Sequence, residues 1–237
     1  MKEVKILHLL PELLSLYGEY GNVAILEKVL KDNGYSVTVQ QWNNGELNIS
    51  DADFIYIGSG TEENLMEAVN RLLPNQEVIK QSIKSGKLWL ATGNAPALFG
   101  KSITWKEVTQ EALAIVNFET VIDTTKRFLG DVLTDDYLGA PMLGFINTSC
   151  TMRDIAPVMN IRLNPKLGND KQNPGEGYCV HNLYATQLIG PVLTKNPHFL
   201  AHIYQTITGT ALIIDPDSNL AKAYDVSLSE LTKRLNK

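Results

Sequence analysis

Residues 88–100, LWLATGNAPALFG, run from an apolar stretch through a corner of Gly, Asn and Pro into a second apolar stretch. The first stretch predicts a buried strand, and the second predicts a helix that starts at the corner. A strand that turns sharply into a helix is the elbow that displays a nucleophile at the edge of an α/β sheet. This elbow contains no Cys or Ser, and its only hydroxyl belongs to Thr92.

Upstream of the elbow, apolar strands alternate with amphipathic helices. Strands are expected at 4–10, 35–42, 53–58 and 87–91, and helices at 21–34, 61–73 and 75–86. Because the strands are apolar on both faces, they predict a mostly parallel sheet with helices on both faces. Sites in such sheets form beyond the carboxyl ends of the strands. The glycine loop 58–60 and the elbow are both expected there.

The second half of the chain has a different pattern. Residues 113–163 alternate short strands with turns, 163–177 form a polar loop, and 178–190 again resemble a strand. A helix is expected at 196–209, with Asn196 as its N-cap. The predicted fold class is therefore α/β, with a more antiparallel C-terminal half. No linker divides the chain, so a single domain over residues 1–237 is expected.

Composition excludes several classes of function. The 237 residues carry a net charge of -5 without a basic patch, which argues against nucleic acid as a partner. The apolar run at the N-terminus is too short for a signal peptide or a membrane span. Two cysteines, Cys150 and Cys179, do not indicate a disulfide framework, so a reduced, cytoplasmic protein is expected. His198 and His202 have the spacing of half a metal site, but no third ligand is evident nearby, and no metal is predicted.

Six segments together resemble class I glutamine amidotransferases of the cobyric-acid-synthase type, and most nearly the glutaminase subunits of lipid II isoglutaminyl synthases. No single segment is specific, but they follow one another in order along nearly the whole chain. They are HLLPELLSLYGEYGNVAIL, FIYIGSGTEEN, TTKRFLGD, LGFINTS, LGNDKQNPGEG and LIGPVLTKNPHFLAHI. The resemblance implies the class I amidotransferase fold, a flavodoxin-like sheet, in agreement with the strand and helix pattern.

Active members of this family cleave glutamine with a Cys on the elbow and a His from a later loop. The family elbow places its Cys at Gly93 of this chain, and the family's Leu-His-Gly-Pro places its His at Ile189. Ala91 and Ala95 support this register, because a nucleophile elbow needs small residues two positions before and after its tip. Glycine cannot be a nucleophile and isoleucine cannot be a base, so no catalytic residue is predicted at either position.

A ligand site is still implied by the resemblance. The glycine loop of Gly58, Ser59 and Gly60 and the elbow residue Asn94 would present polar groups to an anion. Arg127 matches a basic family position near the glutamine pocket, where a cation would hold a carboxylate. The alternatives stay open, since the loop can be a tight turn required by the fold and Arg127 a surface residue beside Lys126. No cofactor is expected.

The leading hypothesis is a relative of the cell-wall amidation branch that has lost its glutaminase dyad and acts as a binding or regulatory subunit. The family's partner would be a Mur-ligase-like, ATP-using subunit, and the small ligand glutamine or another small acid. A second hypothesis is an active amidotransferase subunit of the cell-wall or cobyric-acid type with an unusual nucleophile. Thr92 is one candidate, and Cys179, which would share a strand face with His181, is the other. A third is an interaction protein without a ligand.

Overall fold

The computed structural model of the chain describes residues 2–172 and 174–236. Its six α-helices are α1 (Tyr20–Asp32), α2 (Glu62–Leu72), α3 (Gln76–Lys84), α4 (Val192–Lys195), α5 (Pro197–Thr208) and α6 (Asn219–Leu235). The strands of the first half are β1 (Glu3–Leu9), β2 (Ser36–Trp42), β3 (Phe54–Ile57), β4 (Leu88–Thr92), β5 (Ser102–Trp105) and β6 (Val108–Glu111). None of the helices in these two ranges is long and apolar enough to cross a membrane.

The remaining strands belong to the second half. They are β7 (Glu119–Ile122), β8 (Phe128–Tyr137), β9 (Ala140–Thr148), β10 (Cys150–Arg153), β11 (Met159–Leu163), β12 (Gly175–Glu176), β13 (Tyr178–Val180), β14 (Leu183–Thr186) and β15 (Leu188–Ile189). Three sheets result, in the orders β13-β14-β4-β3-β1-β2, β10-β7-β5-β6 and β12-β11-β8-β9-β15. The first is parallel except for the β13–β14 pair. The third is antiparallel throughout.

The parallel sheet is the middle layer of the molecule. Alternate residues of each strand face opposite sides, so Trp89 packs with α2, α3 and the small sheet, whereas Leu88 and Leu90 pack with α1, α5 and the antiparallel sheet. Two hydrophobic cores therefore cover its two faces. This arrangement confirms the predicted fold class, a parallel sheet with helices on both faces and a more antiparallel second half.

Local signals placed most of the first half correctly. The Thr61 hydroxyl accepts a hydrogen bond of 3.1 Å from the backbone N–H of Asn64 and caps α2, as predicted. Gly34, with a φ of +83°, follows α1 where the stop was expected.

Three predictions differ from the structure. The helix expected after the elbow is only a 3-10 turn, Ala95–Phe99. Asn196 does not cap α5 with its side chain, because its amide pairs with the backbone of Leu143 instead. The strand expected at 178–190 is a hairpin followed by β15, since His181 turns the chain with a φ of +52°. The helix α6 has no counterpart in the sequence-based assignment.

Candidate functional site

The glycine loop and the elbow are neighbours at the carboxyl edge of the parallel sheet. Strands β3 and β4 are adjacent and parallel, with Ile57 opposite Ala91. The segments that follow them, residues 58–60 and 93–95, therefore leave the sheet side by side. Gly93 has a φ of +67°, and its N–H donates to the Leu188 carbonyl over 3.1 Å. The turn thus has the tight, left-handed backbone expected of an elbow tip.

Residues 93 and 189, the expected nucleophile and base positions, face each other. A Cβ atom on residue 93 would lie 3.2 Å from the Cγ2 atom of Ile189. Ile189 is 5% exposed and holds its place through pairing of β15 with β9. This contact supports the register derived from the family elbow. The same Cβ would lie 2.4 Å from both Cβ and Oγ of Ser59, so Ser59 fills the space above the elbow tip.

Ser59 and Asn94 satisfy the backbone donors of this corner. The Asn94 Oδ1 atom accepts from the Gly60 N–H over 3.0 Å and from the Ser59 hydroxyl over 3.2 Å. In return, the Ser59 Oγ atom accepts from the Asn94 N–H over 3.4 Å, and the Asn94 amide donates to the Gly60 carbonyl over 2.8 Å. Donors that would stabilise an oxyanion in an active member are consequently occupied by the protein's own side chains.

The Arg127 guanidinium is also bound by side chains of the protein itself. Its Nη1 atom lies 3.3 Å from the Glu62 carboxylate, and its Nε–H donates to the Asn147 side-chain oxygen over 2.5 Å. The Ser149 hydroxyl also donates to Glu62, over 2.6 Å. Partial burial alone would raise the pKa of Glu62, but the bond from Ser149 and the charge of Arg127 bring that pKa below its usual value. Glu62 is therefore a carboxylate that already binds the cation.

Four of the five predicted ligand residues line one small cavity. Ser59, Gly60, Asn94 and Arg127 share it with residues that sequence reasoning did not assign to a site: Tyr17, Glu62, Asn147, Thr148, Ser149 and Cys150. We call it the Arg127 cavity. Its volume of about 10 Å³ is barely enough for one water molecule. Gly58 packs away from it, because a Cβ there would lie 2.7 Å from the Leu14 carbonyl oxygen.

A buried carboxyl group lies beneath the elbow. Glu19, which is 0% exposed, accepts from the Tyr56 hydroxyl over 2.6 Å, from the Gly190 N–H over 2.8 Å and from the Thr92 hydroxyl. Burial raises the pKa of Glu19 to about 7. The sequence analysis did not identify Glu19 as part of a site. Its only signal in the sequence is an acidic residue shortly before the Gly-Asn pair at the start of α1. Glu19 supplies Thr92 with a hydrogen-bonding carboxyl partner, but Thr92 itself is 0% exposed.

The two cysteines are both free. Cys179 and His181 do not share a strand face, because β13 ends before His181, and the contact between them runs from the Cys179 thiol to the His181 carbonyl over 3.4 Å. β14 separates β13 from the elbow strand β4. Cys150, which no motif singled out, lies beside the Arg127 cavity, but it is 2% exposed and burial raises the pKa of its thiol to about 11.

The histidines do not form a metal centre. The His202 Nε2 atom lies 2.6 Å from the Tyr184 hydroxyl, and the His198 ring packs on Tyr224 with a centroid distance of 5.6 Å. Burial lowers the pKa of His198 to about 4. No group of three His, Cys, Asp or Glu side chains suited to a metal occurs within residues 2–172 and 174–236.

Comparisons with known proteins show which proteins this chain resembles. No family model matches the chain. The lipid II isoglutaminyl synthase (glutamine-hydrolyzing) subunit GatD of Staphylococcus aureus is 28% identical over 83% of this chain and 81% of its own length. The subunit of the same name from Streptococcus pneumoniae is 24% identical over 86% of this chain and 80% of its own length.

Solved structures support the fold. A glutamine amidotransferase superposes with a TM-score of 0.54 and 13% identity over 86% of this chain and 99% of its own. A second, from Thermotoga maritima, gives a TM-score of 0.51 and 11% identity over 98% of this chain and 97% of its own. The chain is thus similar in sequence to GatD subunits over most of its length, and its fold is that of the class I glutamine amidotransferases.

Proposed function

We propose that this protein is a GatD-type subunit that takes part in amidation of lipid II without hydrolysing glutamine itself. Its role is then that of a binding or regulatory subunit. The homology with GatD supports the link to lipid II, because the relatives are named as subunits of lipid II isoglutaminyl synthase. The ordered motifs in the sequence support a subunit of the cobyric-acid-synthase type, and peptidoglycan is the pathway in this proposal.

One observation supports the proposed absence of glutaminase activity. At the elbow, Ser59 stands within 2.4 Å of where a side chain on residue 93 would begin, and the facing side chain is that of Ile189. A nucleophile, its base and the space for a tetrahedral intermediate are all needed for acyl transfer. Gly93 and Ile189 supply neither a nucleophile nor a base at the expected positions, and Ser59 takes up the space that the intermediate would need.

The partner in this proposal is a Mur-ligase-like, ATP-using subunit in the cytoplasm. Such a partner fits the printed role of the relatives as subunits. Glutamine or another small acid remains a ligand only if the Arg127 cavity opens, because its present volume of about 10 Å³ excludes either. A subunit with a closed cavity is better suited to bind its partner than to supply it with ammonia from glutamine.

Ammonia release from glutamine tests the proposal directly. Purified protein, alone and with the Mur-ligase-like partner of its own genome, should release no more ammonia than a no-enzyme control. A GatD relative from Staphylococcus aureus serves as the positive control. Turnover that depends on this chain would overturn the proposal.

One contact favours a second candidate, an enzyme with Thr92 as nucleophile. The hydrogen bond from the Thr92 hydroxyl to Glu19 is the arrangement that would activate a hydroxyl. Its complete burial opposes this reading. If turnover is found, Thr92→Val should abolish it under this candidate, whereas Cys179→Ala should abolish it if Cys179 is the nucleophile.

A further inference from the structure

A second, larger cavity lies next to the Arg127 cavity. Its volume is about 290 Å³, and its walls come from β7, β10, the start of β8 and the loop around residue 171. We call it the Lys171 groove. Lys126 and Phe128 line it, whereas Arg127, between them in sequence, lines the smaller cavity. The two cavities are therefore lined by different residues.

Lys171 is a partly buried cation in this groove. Its Nζ atom donates to the Gly168 carbonyl over 2.7 Å and lies 4.8 Å from the centre of the Phe128 ring. An ammonium group can donate three hydrogen bonds. Within the part of the chain that the structure describes, Lys171 donates one, to the Gly168 carbonyl. Burial lowers the pKa of Lys171 to about 8, because nearby negative charge does not fully offset the loss of water.

Arg153 adds a second cation to the groove. It lies on β10 opposite Glu119 of β7. The carboxylate of Glu119, however, is 3.7 Å from the Nζ atom of Lys101. Within the described parts of the chain, no ion pair of 4.0 Å or less involves Arg153. Its planar fork of donors is thus available to an oxyanion.

The two acidic residues of the groove are engaged by their own turns. Asp123 accepts from the N–H and the hydroxyl of Thr125, over 3.0 and 2.6 Å, and its contact with Lys126 is 4.0 Å long. Asp170 accepts from the N–H of Gln172 over 3.2 Å. These bonds orient each carboxylate toward loop backbone. Among residues 2–172 and 174–236, Arg153 and Lys171 then have no ion pair of 4.0 Å or less.

We propose that the Lys171 groove is a binding site for a phosphate-bearing ligand, a phosphate monoester or a diphosphate. Arg153, Lys171 and Lys126 all line the groove, and a tetrahedral phosphate presents oxygens in several directions to such a set of cations. A planar carboxylate can satisfy the fork of Arg153 but reaches fewer of the three cations. The Thr151 hydroxyl and the Gln172 amide, which also line the groove, supply neutral hydrogen-bonding groups.

Titration with inorganic diphosphate tests this site. Calorimetry on the full chain at fixed ionic strength should show saturable binding, and amide NMR shifts should centre on Thr151 and Gln172. Arg153→Gln and Lys171→Met should each weaken binding by about tenfold or more. Lys28→Met removes the same charge on α1, where Lys28 is paired with Asp32, and should leave binding unchanged. Arg153 is exposed, so its variant tests the site even if Lys171→Met folds poorly.

Three outcomes would overturn the proposal. They are the absence of saturable binding, equal loss of affinity in Lys28→Met, and unchanged affinity in Arg153→Gln. Succinate at the same ionic strength is the comparison ligand, because it carries two negative charges on carboxylates. Binding of succinate as tight as that of diphosphate would show a general anion site and contradict a phosphate site.

Discussion

The side chain of Ser59 occupies the position in which a side chain on residue 93 would begin. A Cβ atom on Gly93 would lie 2.4 Å from the Ser59 Oγ atom, well inside any van der Waals contact. The two residues follow neighbouring parallel strands, so neither can move away without disturbing the sheet edge. The glycine at the elbow tip and the serine in the glycine loop are therefore coupled, and placing a side chain at residue 93 requires a change at residue 59 as well.

Gly93→Cys alone should destabilise the fold. The positive φ costs a side chain about 1–2 kcal/mol, and the clash with Ser59 adds about 1–3 kcal/mol. Adding Ser59→Gly to this variant should recover most of the stability that is lost through the clash. Gly209→Cys is the matched control, because its φ is +74° and no atom lies within 4 Å of the added Cβ. Urea unfolding measures all three; equal losses in Gly93→Cys and Gly209→Cys would contradict the clash.

Ser59→Gly, Gly93→Cys and Ile189→His together should create a reactive thiol. The Ile189 Cγ2 atom is 3.2 Å from the added Cβ, so an imidazole there reaches the sulfur and lowers its pKa. Iodoacetamide should modify the triple variant faster than the variant that keeps Ile189. Equal rates would show that the side chains at 93 and 189 do not meet. Glutaminase activity is not expected, because Pro96 and Ala97 stand where the elbow of the resembled family has Tyr and Gln.

Glu19 should make folding stability depend on pH. Burial raises its pKa from 4.5 to about 7, so the native state holds its proton more tightly than the unfolded state. Its contribution is therefore full below pH 4.5 and lost as the pH rises to about 7, a change of about 3 kcal/mol. The free energy of unfolding of Glu19→Gln, relative to wild type, should rise over this range.

The variant must be compared with wild type because other buried groups also make the stability depend on pH, some in the opposite direction. Burial lowers the pKa of His8 and of His198 to about 4, so their contributions are lost as the pH falls toward 4. Glu176, whose pKa burial raises to about 7, acts in the same direction as Glu19. The exposed Glu12→Gln is the control. A constant difference between Glu19→Gln and wild type from pH 4.5 to 7.5 would refute the linkage.

The thiols should be slow to react in the native protein. Cys150 is 2% exposed and its pKa is raised by burial to about 11, so it should react with a disulfide reagent only after unfolding. Cys179 is half-buried, and burial also raises its pKa. Native labelling at pH 7.5 should therefore be slow and vanish in Cys179→Ala. Rapid labelling of Cys150 would mean that the Arg127 cavity opens in solution.

Local patterns located the elements that depend on neighbours in sequence. The cap at Thr61, the stop at Gly34 and the apolar strands of the parallel sheet all follow from residues within one element. The predicted helix after the elbow was wrong. Residues Ala95–Phe99 form only a 3-10 turn, and all five of them are buried. The pairing of Cys179 with His181 failed because the chain reverses at His181. Periodicity alone does not show such a reversal.

The sequence by itself determined the fold class and the elbow, because both follow from residue type and order. The resemblance to a known family added the expectation that Gly93 and Ile189 stand at the Cys and His positions. The tertiary structure alone decided that Ser59 fills the space over Gly93, that Glu62 neutralises Arg127, and that Glu19 is buried beneath Thr92. These pairs are separated by 34, 65 and 73 residues. Ser59 meets Gly93, and Glu19 meets Thr92, because parallel strands bring their carboxyl ends to one edge. Arg127 precedes β8 of the antiparallel sheet and contacts Glu62 from there. Side-chain packing at this edge depends on all of these residues at once.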